Sequence, residues 1–188
     1  ISNRIDFLII RFMRKILFVF YLCLSFTLSS QTTDWVRSFG GPDSDKGISI
    51  GVDSLGFIYC SGFFNNEATF GGITLTNSGF LGGNNKENFV FKMDSLGNVL
   101  WAIAGGDLSG SCCDDRALGM HVTPGGDVFI TGTFWSSYNL GPLSVPGAQQ
   151  NLHDNSLLAK IDKDGNPIWI KSFGGDDQCG NPCNYPIT

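Results

Sequence analysis

A repeat of about 68 residues runs through most of the chain and constrains its fold more than any other feature. Three tryptophans recur at intervals of 66 and 68 residues, at Trp35, Trp101 and Trp169. Each is followed by a glycine pair, at Gly40–Gly41, Gly105–Gly106 and Gly174–Gly175. Self-similarity at a fixed spacing indicates a repeat architecture, in which each unit buries its apolar faces against its neighbours.

Longer blocks of the sequence align as well. Asp45–Asn77 aligns without gaps on Asp115–Gly147 at an offset of 70 residues. Lys92–Trp101 (KMDSLGNVLW) matches Lys160–Trp169 (KIDKDGNPIW) at half of its ten positions. The alignment predicts repeat units at about 35–100, 101–168 and 169–188, which are two complete units and the opening of a third.

The pattern inside one unit predicts four β-strands. Ile48, Ile50 and Val52 alternate with small residues at the period of two that a strand with one buried face shows. The further strands are predicted over Phe57–Phe63, Thr69–Thr76 and Phe89–Met93. Turns of the form Asp-x-x-Gly, at Asp53–Gly56 and Asp94–Gly97, suit tight hairpins, because Asp bonds its own turn backbone and Gly accepts a positive φ.

A four-stranded sheet with two apolar faces needs another sheet on each side, and radial stacking around an axis supplies both. We therefore predict an all-β fold, a partial β-propeller of four-stranded antiparallel blades. The alternative is a β-solenoid, although its rungs are usually shorter than this repeat. A propeller closes with roughly four to eight blades, so the chain is expected to be the amino-terminal fragment of a longer protein.

Three motifs carry a family resemblance: W-x3-FGG, (I/V)-x-V-D-S-x-G-x-(I/V)-Y-x-(S/T)-G-x-F, and K-x-D-x-x-G-N-x-x-W. Between Trp35 and about Gly175 the chain resembles SBBP-type bacterial β-propeller repeat proteins, which are frequent among secreted proteins of the Bacteroidetes. The resemblance implies a multi-bladed propeller, commonly within a large extracellular protein. It implies no catalytic residues and no particular activity.

The amino-terminal residues predict export. Met13 is followed by Arg14 and Lys15, then by an apolar run to Leu28 and small polar residues, which is the pattern of a secretory signal peptide. We assign residues 13–30 to that peptide, residues 1–12 to upstream read-through, and 31–188 to the repeat domain. The run is shorter than the ~18–20 residues that span a bilayer, so the processed chain is not expected to cross a membrane.

Charge limits the class of partner. The whole chain has 12 basic and 17 acidic residues, and residues 1–30 hold four of the basic and one of the acidic residues. The remaining 8 basic and 16 acidic residues give a net charge of −8. Because such a surface repels phosphate backbones, we do not expect nucleic acid as a partner. An unidentified protein or glycan is the expected partner.

A calcium loop is the weak metal candidate. Asp162 and Asp164 place oxygen ligands at alternate positions, as calcium loops do. The equivalent turns have Leu96 and Leu55 at the second of these positions, and leucine cannot bind a cation. Hairpin geometry is therefore the preferred interpretation, and no cofactor is expected.

Acidic residues also gather after the glycine pairs, where a propeller would place them on one rim. The candidates for binding at this rim are Asp43, Asp45, Asp114, Asp115, Asp176 and Asp177. The alternative is that they are solvated loop residues.

Cysteines fall in the equivalent loops of successive units. Cys112 and Cys113 lie in one loop, and Cys179 and Cys183 in the next. In a secreted chain we expect a disulfide among these four, either within one loop or between the two. Zinc is an alternative, although the spacing lacks the usual pair of CxxC knuckles.

No arrangement of residues in the sequence predicts catalysis. The two histidines, His121 and His153, have no nucleophile or carboxylate partner visible in the sequence. We therefore expect a non-enzymatic extracellular scaffold that presents loops to a protein, glycan or surface. The alternatives are a propeller enzyme, glycan-cleaving or quinone-dependent, whose active site lies outside this chain, and a structural spacer.

Overall fold

The computed structural model describes residues 12–17, 35–77, 86–107, 115–134, 137–146 and 155–173. The chain divides into two compact units, Ile1–Asp34 and Trp35–Thr188. In the first unit, residues 12–17 form a short α-helix. Among the described residues, no helix is both long enough and apolar enough to cross a membrane.

The described part of the second unit is built from twelve β-strands. They are β1 (Lys46–Val52), β2 (Ile58–Asn65), β3 (Glu67–Phe70), β4 (Ile73–Thr76), β5 (Lys86–Met93), β6 (Val99–Gly106), β7 (Arg116–Val122), β8 (Val128–Phe134), β9 (Ser137–Leu140), β10 (Leu143–Pro146), β11 (Asn155–Ile161) and β12 (Pro167–Phe173).

These strands form two antiparallel four-stranded blades, which confirms the predicted fold class. Blade 1 has the strand order β1-β2-β5-β6, and blade 2 has the equivalent order β7-β8-β11-β12. A two-stranded hairpin is inserted in the chain between the second and third strands of each blade: β3–β4 for blade 1 and β9–β10 for blade 2. Strand β9 is hydrogen-bonded to β6, so the β9–β10 hairpin extends the sheet of blade 1 to six strands. The fold is that of a partial β-propeller.

The predicted third strand, Thr69–Thr76, was wrong. That stretch contains the turn of the β3–β4 hairpin, where Gly71 and Gly72 have φ of 56° and 94°. Two successive residues with positive φ reverse a chain with the twist that a hairpin needs, so the segment cannot continue as one strand. The fourth strand of blade 1 is instead β6, which carries Trp101 and which the sequence repeat assigned to the following unit.

The hydrophobic core lies in two clusters. One cluster fills the space between the blades, where Tyr59 and Val90 of blade 1 pack with Val128 and Ile130 of blade 2. The other cluster lies on the opposite face of blade 1 and is built from aromatic and aliphatic side chains. Its buried members are Phe64, Ala68, Phe70, Phe89, Phe91 and Met93. Blade 1 thus buries apolar side chains on both faces, whereas the buried apolar side chains described in blade 2 belong to the cluster between the blades.

Four turns of five residues each connect the strands at one end of the blades: 53–57, 94–98, 123–127 and 162–166. In three of them an aspartate Oδ1 accepts hydrogen bonds from the backbone N–H groups two and four residues later. In the remaining turn, 123–127, the hydroxyl of Thr123 takes the place of the aspartate oxygen and accepts a hydrogen bond from the Asp127 N–H. Each turn has a glycine with φ between 81° and 90°: Gly56, Gly97, Gly126 and Gly165.

Two substitutions distinguish the need for a positive φ at these glycines from the need for space beneath an indole. Gly56 and Gly165 both have positive φ, but only Gly165 also lies beneath an indole, where an added Cβ would come within 2.9 Å of Trp101 Cδ2. We expect Gly56→Ala to lower the free energy of unfolding by about 1 kcal/mol through backbone strain. Gly165→Ala should cost about 1–3 kcal/mol more because the indole must move.

Urea denaturation of both variants and of the unsubstituted chain measures the difference. Equal losses in the two variants would show that the contact with Trp101 contributes nothing.

Candidate functional site

The two ends of the blades differ in how regular their connections are. We call the end formed by the four turns 53–57, 94–98, 123–127 and 162–166 the turn rim, and the opposite end the loop rim. At the loop rim, Gly41 is followed by three residues before Asp45, whereas the equivalent Asp107 is followed by seven before Asp115. The hairpins are joined to the next strands by residues 77–85 and 147–154. Connections of variable length therefore lie on the loop rim, and connections of constant length lie on the turn rim.

Two tryptophans contact the turn rim, and one of them joins blade 1 to blade 2. Trp101 Nε1 donates a hydrogen bond to the backbone oxygen of Lys163 at 3.1 Å. Trp35 Nε1 donates to the backbone oxygen of Ser95 at 2.7 Å, which is the equivalent position one repeat earlier. The glycine of each turn lies beneath the ring, because a Cβ there would meet the indole. The W…D-x-x-G-N pattern is thus a contact between the start and the end of one repeat unit, and in the case of Trp101 it is a contact between the two blades.

A buried lysine strengthens the same junction. Lys92 Nζ donates to the backbone oxygen of Lys163 at 3.0 Å and lies 4.3 Å from the ring centroid of Phe57. Burial lowers the pKa of Lys92, and the carboxylates of Asp53 and Asp164 partly oppose that shift. The equivalent Lys160 is less buried and instead pairs with Asp127 at 2.7 Å. The ammonium of Lys92 is therefore held by a carbonyl and a ring, and that of the less buried Lys160 by a carboxylate and a ring.

Asp53 and Tyr59 complete the junction. The Tyr59 hydroxyl donates to Asp53 Oδ2 at 3.0 Å, while Asp53 Oδ1 holds its own turn. Burial raises the pKa of Tyr59, and the hydrogen bond to Asp53 raises it further. A protonated phenol that donates to a carboxylate is an inert structural group at neutral pH. The contacts of Lys92, Asp53 and Tyr59 at the turn rim therefore serve to hold the structure together.

Of the predicted rim aspartates, the three that the structure describes lie at the loop rim and hold the bases of the loops. Asp45 Oδ2 accepts from the Gly41 N–H at 2.5 Å, and Asp115 Oδ2 accepts from the Asp107 N–H at 2.7 Å. Asp43 accepts from the Asn66 amide at 2.8 Å. Asp114, Asp176 and Asp177 lie outside the described residues.

These bonds correct the alignment of the glycine pairs by one residue. Gly40 pairs with Thr69, and Gly106 pairs with Asn139, which is the equivalent of Thr69. Gly40 therefore corresponds to Gly106, and Phe39 corresponds to Gly105. The side chains compensate: Phe39 packs beside the small Ala68, whereas Gly105 leaves room for Tyr138, whose hydroxyl would be 2.3 Å from a Cβ there. The sequence alignment placed the identical glycine pairs on each other, so this exchange of large and small side chains was not visible in it.

A buried acidic group at the loop rim was missed by the sequence analysis. Glu87, which appears isolated in the sequence, is buried, as are Asp107 and Asp115. A Cβ at Gly106 would be 2.6 Å from Glu87 Cγ and 3.1 Å from Asp115 Oδ2. The position of Glu87 at the start of the buried strand β5 was the available signal. Among the described residues, no set of three or more His, Cys, Asp or Glu side chains has a metal-binding arrangement.

The calcium candidates are engaged in the turn. Asp162 accepts from the backbone N–H groups of Asp164 and Asn166 and from the Asn166 amide. These hydrogen bonds lower the pKa of Asp162, the side chain of Asn166 contributing most. Asp164 is bound by Lys163 Nζ at 2.8 Å. The contacts are those of a hairpin turn.

The cysteine candidates for a disulfide or zinc, Cys112, Cys113, Cys179 and Cys183, lie outside the described residues. Cys60 is a free thiol, half-buried in β2, and burial raises its pKa. His121 is exposed on β7, and His153 lies outside the described residues.

Comparison with known proteins agrees with this architecture. Residues 34–62 match the family model of the SBBP beta-propeller repeat. The match spans the Trp35 segment, β1 and most of β2. No curated protein sequence matches the chain.

The buried phenol of Tyr138 predicts a loss of stability at alkaline pH. Burial raises its pKa above the ordinary value of 10.0, so the folded chain keeps a proton that the unfolded chain releases. The contribution is complete below pH 10 and is lost as pH rises above it. Between pH 9 and 11 the Tyr138→Phe variant should lose about 1.4 kcal/mol less than the unsubstituted chain.

Urea denaturation at the two pH values gives this difference. All other groups, including Lys92 with its opposite shift, titrate in both proteins and cancel. Parallel losses in the two proteins would contradict the assignment to Tyr138.

Proposed function

We propose that this chain, which carries a β-propeller repeat, is a non-enzymatic extracellular scaffold whose loop rim binds a protein, a glycan or a cell surface. One observation carries the proposal. All four connections at the turn rim have five residues, while the loop between Asp107 and Asp115 is four residues longer than its equivalent between Gly41 and Asp45. Differences in length are concentrated where a ligand would meet the blades.

The regular parts of the repeat support a scaffold role. The tryptophan-to-turn bond, the aspartate that closes the loop base and the hairpin pairing all recur in both units. A rigid framework that positions variable loops is the usual arrangement of binding proteins built on regular folds. The loops differ in composition as well as in length, because only the longer one contains adjacent cysteines.

Charge and the amino-terminal sequence set the expected environment. The net charge of −8 after residue 30 opposes binding to phosphate polymers and favours neutral or basic partners. The basic and apolar pattern of residues 13–30 supports export. If the chain is exported, the secreted form should begin near Gln31, and amino-terminal sequencing of the secreted protein would show it.

The rim assignment is tested by anchoring the chain in two orientations. A single azide-bearing residue replaces either Ser44 at the loop rim or Leu96 at the turn rim, both of which are exposed. Each variant is coupled to a surface through that residue and is then probed with a glycan array and with extracellular matrix proteins. We expect ligand to be retained at least tenfold better by chains anchored through Leu96, because their loop rim remains free.

Two results would count against the proposal. Equal retention in both orientations would place binding elsewhere on the blades. Release of cleaved glycan, or reduction of a quinone coupled to substrate oxidation, would favour the enzymatic alternative.

A further inference from the structure

Two buried polar side chains lie on neighbouring strands in the core between the blades. Ser61 of β2 is 0% exposed and Asn88 of β5 is 1% exposed. The strand register places Ser61 opposite Val90, and Asn88 lies two residues before Val90, so the three side chains share one face of the sheet. Val90 belongs to the core cluster that the two blades share. Ser61 and Asn88 therefore face blade 2 among apolar side chains.

Each of these two side chains has a buried atom with an unused hydrogen-bonding capacity. Within the described ranges, Ser61 Oγ and Asn88 Oδ1 have no hydrogen-bond partner in the protein. Burying a polar group without a partner is destabilising, and buried polar groups in folded proteins are as a rule bonded either to protein or to ordered water. The two atoms therefore indicate a ligand that forms hydrogen bonds and is small enough for the core.

A third polar group reaches the same place from the β9–β10 hairpin. The hydroxyl of Tyr138, which is fully buried, accepts a hydrogen bond from Asn88 Nδ2 at 3.2 Å. This hydroxyl lies so close to β6 that a Cβ at Gly105 would overlap it. A phenolic hydroxyl can accept and donate at the same time. Tyr138 therefore holds one end of the Asn88 amide and has a proton to donate.

The spacing of the two strands fits one bridging molecule. Ser61 and Asn88 are diagonal neighbours in the antiparallel pair β2–β5, and the Cα atoms of such neighbours are about 7–8 Å apart. Ser61 Oγ and Asn88 Oδ1 do not bond to each other directly. A direct hydrogen bond spans about 2.7–3.2 Å, and a single bridging water spans roughly twice that distance. One water molecule can therefore connect the two side chains.

We propose that Ser61, Asn88 and Tyr138 form a binding site for one internal water molecule between the blades. The water accepts a hydrogen bond from the Tyr138 hydroxyl, donates one to Asn88 Oδ1 and forms a third with Ser61 Oγ. Three hydrogen bonds are typical of a buried water. A metal cation does not suit the same three groups, because they are uncharged and because a cation cannot accept a hydrogen bond from Tyr138.

The water site connects three strands and is separate from the ligand site proposed for the loop rim. It joins β2 and β5 of blade 1 to β9 of the inserted hairpin. The equivalent positions in blade 2 are Thr131 and Ser156, and both are exposed. Bulk solvent can hydrate these two side chains directly. They therefore provide matched controls in which the same residue position does not hold an internal water.

Magnetic relaxation dispersion of the water oxygen tests the proposal, because its amplitude reports the number of water molecules held longer than the protein takes to rotate. The full chain is compared with Asn88→Leu, which replaces the amide with an apolar group of similar size, and with the control Ser156→Leu. We expect the amplitude to fall by about one water molecule in Asn88→Leu and to stay unchanged in Ser156→Leu. Equal amplitudes in Asn88→Leu and the unsubstituted chain would overturn the proposal.

A second measurement needs no substitution. A crystal structure of the unsubstituted chain should show electron density for one water within hydrogen-bond distance, about 2.7–3.2 Å, of Ser61 Oγ, Asn88 Oδ1 and the Tyr138 hydroxyl. A direct hydrogen bond between Ser61 and Asn88, or a position between them without density, would contradict the site. This result does not depend on whether the Asn88→Leu variant folds, so the two measurements together keep a folding defect distinct from a failure of the proposal.

Discussion

The contact on which the rest of the structure depends is an indole lying on a glycine turn. Trp101 of β6 donates its N–H to a turn carbonyl of blade 2, and Trp35, which precedes β1, donates to the equivalent carbonyl of blade 1. The glycine of each turn allows the ring to approach. The bond from Trp101 joins the two blades at the turn rim. The two turns that receive an indole, 94–98 and 162–166, cannot change in length without losing this contact, and the difference in loop length lies at the opposite rim.

Buried polar groups also differ between the turn rim and the loop rim. At the turn rim, Lys92 and Tyr59 are buried but engaged, the lysine by a carbonyl and aromatic rings and the phenol by a carboxylate. Buried polar groups are tolerated when their hydrogen bonds are made inside the protein. At the loop rim, aspartates close the loop bases through backbone N–H groups, which leaves the remainder of each loop to differ. Acidic residues that would otherwise suggest ligand binding therefore serve first to build the rim.

The two blades differ in how far their equivalent faces are covered. Blade 2 shows how a face is covered, since Gly51 of blade 1 admits Val122 and Tyr59 enters its core. Blade 1 carries the equivalent apolar side chains, with Ile50 and Val52 in solvent. Apolar burial stabilises a sheet roughly in proportion to the area removed from water, so the face of blade 2 that Gly51 and Tyr59 cover contributes more to stability than its exposed equivalent in blade 1.

The sequence by itself determined the repeat, the all-β class and the hairpin turns, because these depend on local patterns that recur with a fixed spacing. It did not determine where a blade begins, because a repeat fixes a period and leaves its phase open; Trp101 was assigned to the wrong sheet for that reason. The inserted hairpin, the exchange of Phe39 and Ala68 for Gly105 and Tyr138, and the burial of Glu87 were decided only by tertiary structure. Each depends on contacts between strands that are distant in sequence, and such contacts leave no periodic signal.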